Sequence, residues 1–232
     1  MKYAIIAAGE GARLANEGIC TPKPLIEIQG VPIIERLVKI FARQEADSIS
    51  IIVNSRQPDT IARIQGIEAG CKINTVIKDT AGSMHSFHAL SPLLDGDRFC
   101  LTTVDTLFRE DEFSAFIETL KNDSHDGIMA VTDYIDDEKP LYIETDDEMN
   151  ITAFCDNPTP STRYISGGIY GLTHKALEVL EKCMERGTVR MRDFQRELIN
   201  SGMRLKAYPF KKIIDIDHAE DILKAERFLK EI

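Results

Sequence analysis

Four short apolar runs constrain this chain more than any other feature. Residues 3–7 (YAIIA), 48–53 (SISIIV), 71–77 (CKINTVI) and 98–104 (RFCLTTV) are rich in β-branched residues and bounded by Gly, Asp or Asn, the pattern of buried strands. Between them apolar residues recur at helical spacing: Ile33, Ile34, Leu37, Val38 and Phe41, then Ile61, Ile64 and Ile67, then a less regular third stretch, MHSFHALSPLL. Alternation of this kind predicts a mostly parallel sheet with helices on both faces. Ligands in such a sheet sit beyond the carboxyl ends of the strands. The loop after Ala7, the segment after Ile77 and the loop after Val104 are therefore expected to converge.

The second half reads differently. DGIMAVT, PLYIETD, MNITAFC and RYISGGIYGL are strand-like and separated by connections too short for crossover helices, so antiparallel pairing is expected there. Helices follow at 174–185 and Met191–Asn200, then two late strands in MRLKAYPF and KKIIDID. An amphipathic helix in AEDILKAERFLKEI closes the chain, with Leu223, Phe228 and Leu229 expected on its buried side.

No linker, repeat or low-complexity stretch divides the 232 residues, so one domain is expected. The formal net charge of −10 argues against nucleic acid or an acidic membrane as the main partner, so any cationic site must be local. The start, MKYAIIAAGEG, has no signal pattern and no run is long enough to span a bilayer, which makes a cytoplasmic location the expectation. Five cysteines without a Cys-x-x-Cys pair fit neither a disulfide framework nor a zinc site. His85 and His88 lack further ligands at helical spacing.

The first loop is the strongest local signal. In IIAAGEGARLANEGICTPKPL, Gly9 and Gly11 suit a backbone that turns tightly or is closely approached, and Arg13 and Lys23 place two cations beside it. The stretch is suited to an anion. AAGEGARL followed by PKPL resembles the signature of the nucleotidyltransferase family that includes the sugar-1-phosphate pyrophosphorylases. Ala12 stands where that family usually has Thr, and ANEGIC replaces a Pro-containing middle. The resemblance continues in EIQGVPIIERLVKIF, in DTAGSMHS, in LTTVDTLF, in FCDNPTPSTRYISGGIY and in IIDIDHAEDI, and so covers nearly the whole chain.

The resemblance implies a three-layer αβα Rossmann-like sandwich of the glycosyltransferase-A type with a mixed, mostly parallel sheet. It implies a nucleotide-binding half over residues 1–125 and an acceptor-binding, metal-completing half over 126–232, in a short form without a C-terminal β-helix domain. The implied reaction transfers a nucleoside monophosphate from a nucleoside triphosphate to a phosphorylated acceptor, as in nucleotide-sugar biosynthesis, with release of pyrophosphate and with magnesium as cofactor. Ala7, Ala8, Gly9, Gly11, Thr80 and Gly82 would hold the nucleotide, and Arg13 and Lys23 would be the catalytic cations. Asp105 and one of Asp215 and Asp217 would bind the metal, with Asp217 favoured because it directly precedes the last helix; a plain helix cap with Glu220 is its structural alternative. Two such carboxylates converging without a cation would repel and raise each other's pKa values. Asp156, Arg163 and Gly168 would meet the acceptor. Asn157 replaces a family lysine there, which puts a standard sugar-phosphate grip in question. A phosphocholine-type cytidylyltransferase and a catalytically silent regulatory protein on the same fold are the alternatives. Oligomeric state is left open.

Overall fold

The computed structural model describes residues 1–136 and 138–230. β1 (Lys2–Ala7) leads through a short α1 (Ala12–Asn16) and a two-stranded ribbon, β2 (Glu27–Ile28) and β3 (Val31–Pro32), into α2 (Ile33–Arg43). The ribbon turns on Gln29 and Gly30, with φ of 53° and 71°. Positive φ at both central residues gives a two-residue turn the twist that its strands require. β4 (Ser48–Val53), α3 (Pro58–Gln65), β5 (Lys72–Ile77), α4 (Ser83–Leu90) and β6 (Arg98–Thr103) continue the alternation. As expected, these strands are parallel: β1 lies between β4 and β6, and β5 pairs with β4.

A two-residue strand, β7 (Thr106–Leu107), and α5 (Glu110–Asn122) lead to β8 (Gly127–Thr132), β9 (Tyr142–Thr145), β10 (Ile151–Cys155) and the long β11 (Tyr164–Thr173). β11 joins the two halves of the sheet. It runs antiparallel to β6 over its second half and antiparallel to β8, while Tyr164 and Ile165 pair with the β9–β10 hairpin. α6 (Lys175–Glu185) and α7 (Met191–Asn200) then carry the chain to β12 (Leu205–Phe210), which is parallel to β8. The antiparallel pairing expected of the four closely spaced strands is what β8 to β11 show; β12 can run parallel to β8 because two helices separate it from them and provide a crossover. Of KKIIDID only β13 (Ile214–Asp215) pairs, antiparallel to β7, before α8 (Ala219–Phe228).

Strand alternation divides the core into two layers. Ala4 and Ile6 face one layer with Phe87, Phe99 and Phe194; Tyr3, Ile5 and Ala7 face the other with Phe41, Phe113 and Phe116. The result is a three-layer αβα sandwich around a mixed sheet whose first half is wholly parallel. A third, smaller cluster joins Leu14, Ile26, Leu107, Ile216, Ala225 and Phe228. It fixes α1, β13 and α8 against one another. Leu223 is not part of it. Asp221, Ala225 and Phe228 form the buried stripe at helical spacing, which leaves Leu223 on the outer side, 59% exposed.

Candidate functional site

Beyond the carboxyl ends of the parallel strands lies a cleft of about 490 Å³, walled by residues 8–11, Lys23, Asn54, residues 80–83 and residues 103–105. The three segments expected to converge do so. Gly11, with φ of 64°, starts α1, and a β-carbon there would sit 3.5 Å from Cβ of Lys23. The second glycine of the loop therefore serves backbone shape and close passage of Lys23. Nothing lies within 4 Å of the position a Gly9 β-carbon would take, so that backbone is open to the cleft. Ala7, in contrast, is buried in the core and is not part of the wall.

The loops are tied to one another. Gln57 Nε2 donates to the Gly9 carbonyl (3.0 Å), and Arg56 pairs with Glu10. Asp79 accepts from the Ser55 backbone N–H (3.0 Å) and hydroxyl (2.8 Å). The Thr80 and Ser86 hydroxyls share a 2.6 Å hydrogen bond. Neither Thr80 nor Ser83 caps α4; Gly82 occupies that position.

Lys23 is bracketed by Pro22 and Pro24 in a single 3₁₀ turn that directs its side chain inward. Its Nζ donates to Asp105 Oδ2 (2.7 Å) and to Asp217 Oδ1 (2.6 Å), and Arg13 Nη1 donates to Asp217 Oδ2 (2.6 Å). Residues 82 and 194 positions apart from Lys23 thus share one ammonium. The Lys23 side chain is only 10% exposed. Burial pulls its pKa down, but the Asp105 charge and the hydrogen bonds to Asp105 and Asp217 outweigh it and hold the ammonium above its ordinary value. Burial likewise pushes Asp105 up, and the same ammonium more than offsets that, leaving the carboxyl below the usual range. Lys23 stands between the two carboxylates and offsets the repulsion foreseen from sequence.

Asp217 is held in place by its neighbours. The Ile216 N–H donates to the Asp105 carbonyl (3.1 Å), while the Ile216 side chain enters the third cluster. Asp221 accepts from the backbone N–H groups of Asp217 (3.1 Å) and His218 (2.8 Å). The cap residue of α8 is therefore His218, not Asp217, and the acidic partner is Asp221, not Glu220. This leaves the Asp217 carboxylate for Lys23 and Arg13. One helical turn beyond Arg13, Glu17 accepts from the Ala219 N–H (2.7 Å) and bonds His218 Nδ1 (2.5 Å). Those two bonds lower the Glu17 pKa, and the Glu17 bond raises that of His218. Asp215 pairs through its backbone with Thr106 and lines a second cleft.

That second cleft, about 440 Å³, shares residues 81–83, Thr103 and Asp105 with the first. It continues past Gly168 and Tyr170 toward Lys139, Arg190 and Arg192. Gly168 has φ of 71°, and a β-carbon there would meet Thr106 Oγ1 at 2.8 Å, so glycine is required by packing as well as by the cleft. Two residues expected here lie elsewhere. Asp156 is not part of the wall but pairs with Arg192 (2.7 Å), which is, and with Arg196 (2.8 Å), and the Arg163 guanidinium lies 5.1 Å from the Tyr164 ring centre. The cations on the wall are Lys139, Arg190 and Arg192 instead. The signal in the sequence was the Arg-x-Arg of RMRD at the start of α7, which reads equally well as a solvated helix end.

Among the described residues, no three His, Cys, Asp or Glu side chains gather as a metal cluster. Asp105 and Asp217 form a two-carboxylate set within reach of one cation. Such a set fits magnesium, which takes one or two protein carboxylates and draws its other oxygens from substrate phosphates and water. Among the same residues no helix is long and apolar enough to cross a membrane.

An αβα sandwich with a glycine loop, two cations and two carboxylates where its strands end defines a protein of the nucleotide-handling α/β class. More particularly, the chain belongs to the nucleotidyl transferase family, whose model matches residues 2–232. It is 25% identical to the bifunctional protein GlmU of Methanocaldococcus jannaschii, over 99% of this chain and 54% of that protein. It thus spans about half the length of the GlmU relatives it matches. It is 24% identical to the UTP–glucose-1-phosphate uridylyltransferase AglF of Haloferax volcanii, over 100% of this chain and 97% of that one. The inositol-1-phosphate CTP transferase from T. maritima superposes with a TM-score of 0.82 at 17% identity, over 99% of this chain and 96% of that one, which establishes the glycosyltransferase-A type of fold.

Proposed function

We propose that this chain transfers a nucleoside monophosphate from a nucleoside triphosphate to a small phosphorylated acceptor. The observation that carries the reading is the single ammonium of Lys23, on the wall of the first cleft, bonded to Asp217 and to Asp105, the carboxylate that both clefts share. The triphosphate would lie in the first cleft against the open backbone of residues 8–11. The acceptor would enter the second, with its phosphate drawn by Lys139, Arg190 and Arg192. An acceptor phosphate oxygen attacks the α-phosphorus, the bond to the bridging oxygen of the β-phosphate breaks, and pyrophosphate leaves. Arg13 and Lys23 offset the charge that accumulates on the transferring group. Asp105 and Asp217 would hold magnesium, which when bound offsets phosphate charge and fixes the triphosphate's orientation.

The retained cations and carboxylates favour activity over a silent regulatory role. The absence of a lysine at Asn157, and the position of Arg163 on Tyr164, favour an acceptor other than glucose 1-phosphate, such as phosphocholine or another sugar phosphate. The test is pyrophosphate release from each of the four nucleoside triphosphates against a panel of phosphorylated metabolites, with and without magnesium. Turnover is expected for at least one pair, weakly or not at all with glucose 1-phosphate, and lost in Asp105→Asn and Asp217→Asn. No release from any pair would overturn the reading. Loss in Asp215→Asn but not Asp217→Asn would reassign the metal carboxylate.

A further inference from the structure

Asn54 is the first residue past β4 and lies on the wall of the nucleotide-side cleft beside Ile6, Ala8 and Thr80. It is 4% exposed. Its Oδ1 accepts from the backbone N–H of Arg56 (2.8 Å) and from Arg56 Nε (3.2 Å). Two N–H donors on that atom settle which end of the carboxamide is oxygen. Among the described residues Nδ2 donates to no protein atom, yet it is not one of the polar atoms sealed inside the protein without a partner. Asn54 lines the cleft, so this donor is open to a ligand acceptor there in place of water.

The surroundings indicate which part of a nucleotide would supply it. Among the described residues the cation that lines this cleft is Lys23, and it is bonded to Asp105 and Asp217. Asn54, Thr80 and Ser86 are uncharged, and the Arg56 guanidinium bonded to Asn54 is already paired with Glu10. Phosphate has little to gain there, whereas a neutral polar ring edge does. The Thr80–Ser86 pair shares one proton between two hydroxyls, so it can present either a donor or an acceptor and is tolerant of what it meets. The Asn54 amide presents donors only. It is the group on this wall whose polarity is fixed.

We propose that Asn54 reads the nucleobase, its Nδ2 donating to a carbonyl oxygen or ring nitrogen on the base edge. A fixed donor favours a base with an acceptor at that point and rejects one with an amino group there, because the mismatch leaves two donors facing each other. The inference rests on the proposed use of a nucleoside triphosphate. It adds which residue selects among the bases.

The test is calorimetric titration of UTP, CTP, GTP and ATP, with magnesium and no acceptor, into wild type, Asn54→Asp and Asn54→Ala. Aspartate keeps an oxygen for Arg56 and replaces the donor with an acceptor, so it is the variant expected to stay folded; thermal melting checks both. Wild type is expected to prefer its best triphosphate over its worst by at least tenfold. Asn54→Asp should weaken the best at least tenfold while leaving the worst within threefold, and Asn54→Ala should compress the range. A wild type with no base preference, or folded variants that keep the preference within threefold, would overturn the assignment of Asn54. If wild type binds no triphosphate at all, it is the proposed function that fails.

Discussion

Lys23 shows how one side chain can hold two roles. In sequence it is a cation near a glycine loop, and its removal would be expected to spare folding. In the structure it is nearly buried between two carboxylates, so Lys23→Ala also leaves like charges facing each other. Both carboxylates keep some exposure, so the expected loss of stability is about 1–3 kcal/mol, below the figure for a fully buried pair. Turnover should fall by about a hundredfold or more. The network is complete across the neutral range. Asp105's depressed pKa makes its contribution present above about pH 4 and lost as pH falls through the depressed value; Lys23's raised pKa makes its contribution present below about pH 10 and lost as pH rises through the raised value. Magnesium should raise the melting temperature of Lys23→Ala more than that of wild type, because it can occupy the place of the ammonium. Thermal melts with and without magnesium measure this, and equal responses would show that Asp105 and Asp217 do not form a cation site.

At the scale of elements, the site depends on a small apolar cluster rather than on the main sheet. α1 and α8 are far apart in the chain, yet Leu14, Ile216 and Phe228 pack together beneath Arg13 and Asp217. Phe228→Ala is expected to cost about 3 kcal/mol and to loosen the Asp217–Lys23 contact. Leu223→Lys, on the outer side of the same helix, should change stability by no more than about 0.5 kcal/mol. Urea denaturation of the two variants compares them directly, and a large loss in Leu223→Lys would mean that the helix packs by a different face. Gly168→Ala in β11 should be destabilising as well, because φ of 71° and the 2.8 Å approach to Thr106 leave no room for a side chain.

Across the whole molecule the two halves meet on β11, and the open end of that seam is held by one carboxylate. Asp126 accepts from Lys175 Nζ (2.7 Å) and from the Arg204 N–H (2.9 Å), while its carbonyl accepts from the Thr173 N–H (3.0 Å). Burial would raise its pKa, but the bonds from Lys175 and Arg204 prevail and hold it below the usual carboxylate range. Its contribution is therefore present above about pH 4 and is lost as pH falls through the depressed value. Asp126→Asn is expected to lower stability by about 1–2 kcal/mol at pH 7 and to make the remaining stability less sensitive to acid. Denaturant melts at pH 7 and pH 3.5 check both parts; an unchanged acid sensitivity would show that Asp126 is not the group responsible.

Local pattern was enough for most of the architecture. SISIIV is β4 to the residue, the Ile33–Phe41 periodicity is α2, and RYISGGIYGL is the strand that joins the halves. These signals survive because burial of each face is written into neighbouring residues at a period of 2 or 3.6. The glycine loop and its two cations were legible for the same reason, since a tight turn beside a strand demands its own residues. Contacts between distant segments were not. That Lys23 stands between Asp105 and Asp217, that Asp221 rather than Glu220 is the acidic partner in the cap of the last helix, that Arg192 rather than Arg163 reaches the second cleft and that Leu223 faces outward all depend on how α8, α7 and the Lys23 turn come together in space. Side-chain pairing between segments two hundred residues apart is selected by packing and electrostatics in the folded state, and no local periodicity encodes it.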